Sequence, residues 1–78
     1  MENQRVRLSK ALLKEALVRL LETKPLDKIT IYELCAEAQI NRTTFYKYYG
    51  SQGDVLKDIE NELFAMLETH LVGSVRGD

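Results

Sequence analysis

The nine residues from Asn41 to Tyr49 carry two cations, two threonine hydroxyls and three tyrosine hydroxyls, with no carboxylate among them. That set supplies no nucleophile and base pair for a reaction. It suits an anionic partner rich in hydrogen-bonding groups, and double-stranded DNA is such a partner. Arg42 can fork onto guanine O6 and N7 or fall back on a phosphate, and the methyls of Thr43 and Thr44 can meet a thymine methyl. The hydroxyls of Tyr46 and Tyr48 can donate to phosphate oxygens, and Lys47 suits a phosphate or a base equally well.

Spacing sorts these residues further. At about 100° per helical residue, Phe45 and Tyr49 fall together on one side and Thr43, Tyr46 and Lys47 lie opposite. Thr44 and Tyr48 take one flank and Arg42 the other. Phe45 and Tyr49 are thus expected to anchor the segment. Arg42, Thr43 and Thr44 are expected to read bases, while Tyr46, Lys47 and Tyr48 hold the backbone. The plainer alternative is a solvated face on a small helical module, with its tyrosines half-buried.

Little else in the chain offers chemistry. The single cysteine, Cys35, has no disulfide partner, and with one histidine, His70, it makes no zinc-binding set. Cys35 falls within the apolar pattern of a helix, where free thiols are mostly inert. His70 suits a solvated or capping position near a helix end. No metal-ligand spacing or phosphate-binding loop is present, so no enzyme, cofactor or metal is expected.

The net charge of −1 and a pI of 5.8 look unfavourable for binding DNA, which needs Lys and Arg. The distribution resolves this. Through Gly50 nine basic residues face six acidic ones, a balance of +3; from Ser51 onward two face six, a balance of −4. One end is suited to nucleic acid and the other to a different partner.

Elements must position these groups, and 78 residues suffice for one small core. Leu13, Ala16, Leu17, Leu20 and Leu21 recur at helical spacing, predicting a first helix over Ser9 to Glu22, with Ser9 as cap or a start nearer Arg5. Pro25 ends it. Thr30 and Glu33 form a capping box, flanked by an Ile29 and Leu34 staple, for a short second helix that stops near Gln39. Asn41 caps a third, which runs to Tyr49 and ends on Gly50 in the left-handed conformation. Ser51 and Asp54 open a fourth. Its apolar face (Val55, Leu56, Ile59, Leu63, Phe64, Met66, Leu67, Leu71) is wider than a small bundle needs, so part of it is expected to meet further protein. Val72 to Asp78 reads as a frayed tail.

The expected fold is therefore all-α: a homeodomain-like three-helix bundle with a helix-turn-helix over residues 1–50, plus a longer fourth helix over 51–78. In such a motif the second helix of the pair enters the major groove. No apolar run approaches the roughly 20 residues of a membrane span, and no signal peptide is evident, so a cytoplasmic protein without membrane attachment is expected.

The residues Thr30, Leu34-Cys35, Ala38-Gln39-Ile40-Asn41, Thr43-Thr44, Phe45-Tyr46-Lys47-Tyr48-Tyr49 and Ser51-Gln52-Gly53 follow a known pattern. From about Ser9 to Leu63 the chain resembles the TetR/AcrR family of one-component transcriptional regulators. The resemblance implies that Thr30, Asn41, Arg42, Thr43, Thr44, Tyr46, Lys47 and Tyr48 take DNA-facing or phosphate-facing positions. It also implies a C-terminal domain beyond the fourth helix that binds a small-molecule inducer and forms a homodimer, which reads a palindromic operator as a repressor. Three positions depart from the pattern. Gln39 replaces a turn glycine, Gln52 a phosphate-binding lysine, and Gly53 a helix-favouring glutamate. The rival expectation is a protein-interaction module that binds no DNA.

Overall fold

A computed structural model describes the backbone of residues 3–76 and the side chains of residues 3–71. The first helix, α1 (Gln4–Leu21), begins where the Asn3 side chain accepts a hydrogen bond from the Val6 amide at 2.9 Å. Ser9 therefore lies inside the helix and is not its cap, and the start falls beside Arg5, the earlier of the two expected starts. Asn3 and Ser9 are equally good capping types, and Asn3 prevails because it lets another turn of helix form. The chain leaves α1 before Pro25, and a short 3-10 turn over Leu26–Lys28 leads to Ile29.

Thr30 and Glu33 make the expected capping box at the start of α2 (Ile31–Ala38). The Glu33 amide donates to the Thr30 hydroxyl at 3.0 Å, and the Glu33 carboxylate accepts from the Thr30 amide at 3.2 Å. Ile29 and Leu34, on either side of the cap, are both buried. Gln39 ends α2 with φ 59° and ψ 41°, and the Ile40 amide reaches back to the Cys35 carbonyl at 3.0 Å. This closure normally employs glycine, because a Cβ disfavours the left-handed region.

Asn41 then caps α3 (Arg42–Tyr48), accepting from the Thr44 amide at 2.8 Å. The exit from α3 differs from expectation. Tyr49 is already extended, with φ −136°, and no glycine has positive φ. Gly50 is instead a place of close approach: its amide donates to Asp54 Oδ2 at 3.0 Å, and a Cβ on Gly50 would lie 3.0 Å from that oxygen. The Asp54 amide donates to the Ser51 hydroxyl at 3.2 Å, so Ser51 and Asp54 open α4 (Gln52–Arg76) as expected. Its backbone stays helical through Arg76, which corrects the frayed tail expected from Val72; the expected tail's Gly77 and Asp78 lie outside the described residues.

The described residues form helices and no strand, so the fold is all-α. α1 packs on α2 and α4, and α2 on α3. The core joins Leu13, Ala16 and Leu17 of α1, Leu34, Cys35 and Ala38 of α2, Phe45 and Tyr49 around α3, Val55 of α4 and Ile29. These residues of all four helices meet in one shared interior, with no side-chain polar atom buried unpaired among the described residues. Only the first two turns of α4 take part. From Glu60 to Leu71 every residue is exposed, including Leu63, Phe64, Met66, Leu67 and Leu71.

Candidate nucleic-acid interface

α3 owes its position to one aromatic anchor. Its β-branched and aromatic residues are mediocre helix formers, and seven residues are too few for an independent helix, so packing must hold it. Phe45 is fully buried, with the Tyr49 ring 5.8 Å and the Tyr46 ring 5.3 Å from its centroid, the latter edge-on at 87°. The Tyr49 hydroxyl donates to Asp58 Oδ2 at 2.6 Å and ties the end of α3 to α4.

With that side anchored, the opposite side is open. Arg42, Thr43, Tyr46 and Lys47 are exposed, Thr44 and Tyr48 are half-buried, and Tyr46 keeps 57% of its surface. This matches the rotation worked out from spacing. Among the described residues no ion pair uses Arg42 or Lys47; the pairs are Lys14 with Asp58 and Glu62, Arg19 with Glu37, and Lys24 with Glu33. The two cations of α3 therefore face solvent without a carboxylate to neutralise them.

Thr30 and Asn41 are exposed at the starts of α2 and α3, but their side-chain oxygens already accept capping bonds. Lys24 pairs with Glu33, and this contact with the Thr30 amide holds the Glu33 carboxyl below its ordinary value of 4.5. Cys35 is buried on the core side of α2, and desolvation pushes its thiol above the ordinary value of 9.0, against a weaker opposing pull from Arg42. A thiol of that kind stays protonated and unreactive at neutral pH.

Spacing alone missed what α1 brings to this surface. Its first turns reach the start of α3, where Arg5 and Ser9 share a cleft of about 330 Å³ with Asn41, Thr44, Lys47, Tyr48 and the Gln39–Ile40 turn. The Lys10 ammonium lies 5.8 Å from the centre of the Tyr48 ring, within cation–π range. Asn3 was the available signal, because a helix beginning there carries Arg5 in its first turn. Gln52, at the position where the resemblance expects a phosphate-binding lysine, turns inward and donates to the Ile29 carbonyl.

The family model described as "Bacterial regulatory proteins, tetR family" matches residues 12–59. The chain belongs to that family. The matched stretch takes in most of α1, all of α2 and α3, and the packed start of α4. Neither a curated protein nor a solved structure gives a match. TetR-family proteins are DNA-binding transcription regulators with a helix-turn-helix, and α2 and α3 are two successive short helices inside the matched stretch. No helix among the described residues is long and apolar enough to cross a membrane.

Proposed function

We propose that this chain reads an operator in double-stranded DNA through α3, as the DNA-binding end of a cytoplasmic repressor that a small-molecule inducer releases. One observation carries the reading: α3 buries Phe45 and turns Arg42, Thr43, Tyr46 and Lys47 to solvent with no acidic partner. In this reading Arg42, Thr43 and Thr44 meet base edges, and Tyr46, Lys47 and Tyr48 hold phosphates. Asn41 shares a cleft with Thr44, Lys47 and Tyr48, and Thr30 and Asn41 each fix the helix they cap.

Residues 1–50 form the DNA-binding unit, and α4 leads from it toward a C-terminal domain that binds the inducer and forms the homodimer. The exposed apolar side chains from Leu63 to Leu71 support that arrangement, because contiguous apolar surface is normally covered by protein. Two α3 helices would then lie about 34 Å apart, one DNA turn, on a palindromic site. The Tyr49–Asp58 and Gln52–Ile29 hydrogen bonds support release by an inducer, since they link the end of α3 and the residue before the α2 cap to α4.

Selection from a pool of random duplexes, followed by amide chemical-shift mapping with the enriched duplex, tests the reading. The expected result is an enriched motif, weak salt-sensitive binding, and shift changes over Asn41 to Tyr48. Absence of any enriched motif and of shifts at Thr43 to Tyr48 would retire it. Protein binding that survives high salt would favour an interaction module instead.

A further inference from the structure

The cleft between the first turns of α1 and the start of α3 has a composition found nowhere else among the described clefts of the molecule. Its charged side chains are both cationic, Arg5 from α1 and Lys47 from α3, and its other polar side chains include Ser9, Asn41, Thr44 and Tyr48. No carboxylate lines it. The neighbouring cleft along α1 makes the contrast, because there Arg7, Lys10 and Lys14 face Asp58 and Glu62. Neither Arg5 nor Lys47 enters an ion pair among the described residues. Two cations lining one cleft of about 330 Å³ with no carboxylate leave a local positive charge that an anion would offset.

We propose that this cleft is a phosphate seat, in which Arg5 and Lys47 grip one backbone phosphate of DNA from opposite walls. The proposal rests on the DNA-reading function above and adds α1 to the binding surface. A guanidinium presents a planar fork to a phosphate, and a lysine adds a mobile point charge. The hydroxyls of Ser9 and Thr44 supply further donors of the right reach for phosphate oxygens. Because Arg5 sits on a different helix from Lys47, a phosphate held by both fixes the angle at which α3 meets the groove. A contact from α3 alone does not set that angle. A free phosphate ion has the same chemistry, and the experiment separates the two sources.

The intact chain and its Arg5→Ala, Arg5→Lys and Arg7→Ala variants are titrated with a mixed-sequence DNA duplex across a salt series, with fluorescence anisotropy as readout. Inorganic phosphate is titrated separately at fixed ionic strength, with the Ser9 and Thr44 amide shifts as readout. Arg5→Ala is expected to make the slope of log affinity against log salt shallower by about 0.9, the loss of one phosphate contact. Arg5→Lys keeps the wild-type slope, as does Arg7→Ala, whose cleft already holds two carboxylates. Arg5 is exposed, so thermal melting of all four proteins should coincide. Wild-type binding with an unchanged slope in Arg5→Ala, and no Arg5-dependent binding of inorganic phosphate, overturns the phosphate seat and leaves the DNA-reading function standing. Saturable binding of inorganic phosphate that Arg5→Ala abolishes, with no change in the duplex slope, overturns the assignment to DNA. Failure of the wild type to bind any duplex in a salt-dependent way removes the DNA-reading function and the seat with it.

Discussion

The Tyr49 hydroxyl donates to Asp58 Oδ2 at 2.6 Å, and this one bond joins the end of α3 to the second turn of α4. Asp58 also lies 3.8 Å from the Lys14 ammonium, which pairs with Glu62, so three helices converge on one small polar cluster. A hydrogen bond to an ionised group contributes about 1.5–3 kcal/mol, and Asp58 keeps a third of its side chain in water, which places this one at the lower end. Tyr49→Phe should therefore cost about 1.5 kcal/mol of stability while leaving the aromatic packing on Phe45 in place. Urea denaturation of Tyr49→Phe, Asp58→Ala and the double variant gives the coupling energy directly. A coupling near zero would mean that the bond does not hold α3 in solution.

Gln39 occupies the left-handed region at φ 59°. A side chain there costs about 1–2 kcal/mol relative to glycine, and glycine in turn loses about 0.4–1 kcal/mol more conformational entropy on folding. Gln39→Gly should stabilise the domain by roughly 0.5–1 kcal/mol, read as a higher urea midpoint with an unchanged slope. Gln39→Ala should not stabilise it, because alanine keeps the Cβ that causes the strain.

The Glu33 carboxyl is held below its ordinary value by the Lys24 ammonium first and the Thr30 amide second. A depressed carboxyl contributes stability that is present above its unfolded value of 4.5 and is lost as pH falls through the lower folded value. Urea midpoints measured from neutral pH down through that range should fall more steeply for the wild type than for Glu33→Gln. Parallel curves would show that the capping box contributes nothing to acid sensitivity.

Cys35 is 4% exposed and its thiol is pushed up by burial. Its reaction with an aromatic disulfide reagent should be slow in the folded domain and become fast only on adding denaturant, since the thiolate is the reactive form. A fast reaction at neutral pH without denaturant would show that α2 and α3 separate readily in the native state.

Local chemistry was legible in the sequence wherever a hydrogen bond spans three or four residues. The Thr30–Glu33 box, the Asn41 cap and the split of α3 into a Phe45 side and an Arg42–Lys47 side all follow from spacing of that kind. The errors fell where two local solutions compete or where distant segments meet. Asn3 and Ser9 are both competent caps, and only the extra turn of helix decides between them. Gly50 follows a helix, as a left-handed glycine does, yet its role depends on the Asp54 carboxylate folding back onto it. Val72 to Asp78 read as a tail because chain ends commonly fray, although the helix of α4 propagates through Arg76. The cleft between Arg5 and Lys47 joins residues on different helices, and no local spacing encodes such a meeting.

Arg42 and Lys47 are both exposed cations on α3, and their positions predict different losses. Arg42 is the first residue of the helix, where a groove-bound helix presents its base-reading side chains, and its planar fork matches guanine O6 and N7. Lys47 lies near the other end and shares the cleft with Arg5, the phosphate seat proposed above. Lys47→Ala should weaken binding to the selected duplex and to a scrambled one by the same factor, and make the salt slope shallower by about 0.9. Arg42→Ala should cost about 1–3 kcal/mol on the selected duplex and much less on the scrambled one, narrowing the ratio between them. Anisotropy titrations of both variants against both duplexes at several salt concentrations separate the roles. Equal losses on the two duplexes for Arg42→Ala would make it a phosphate contact, leaving Thr43 and Thr44 as the base readers of α3.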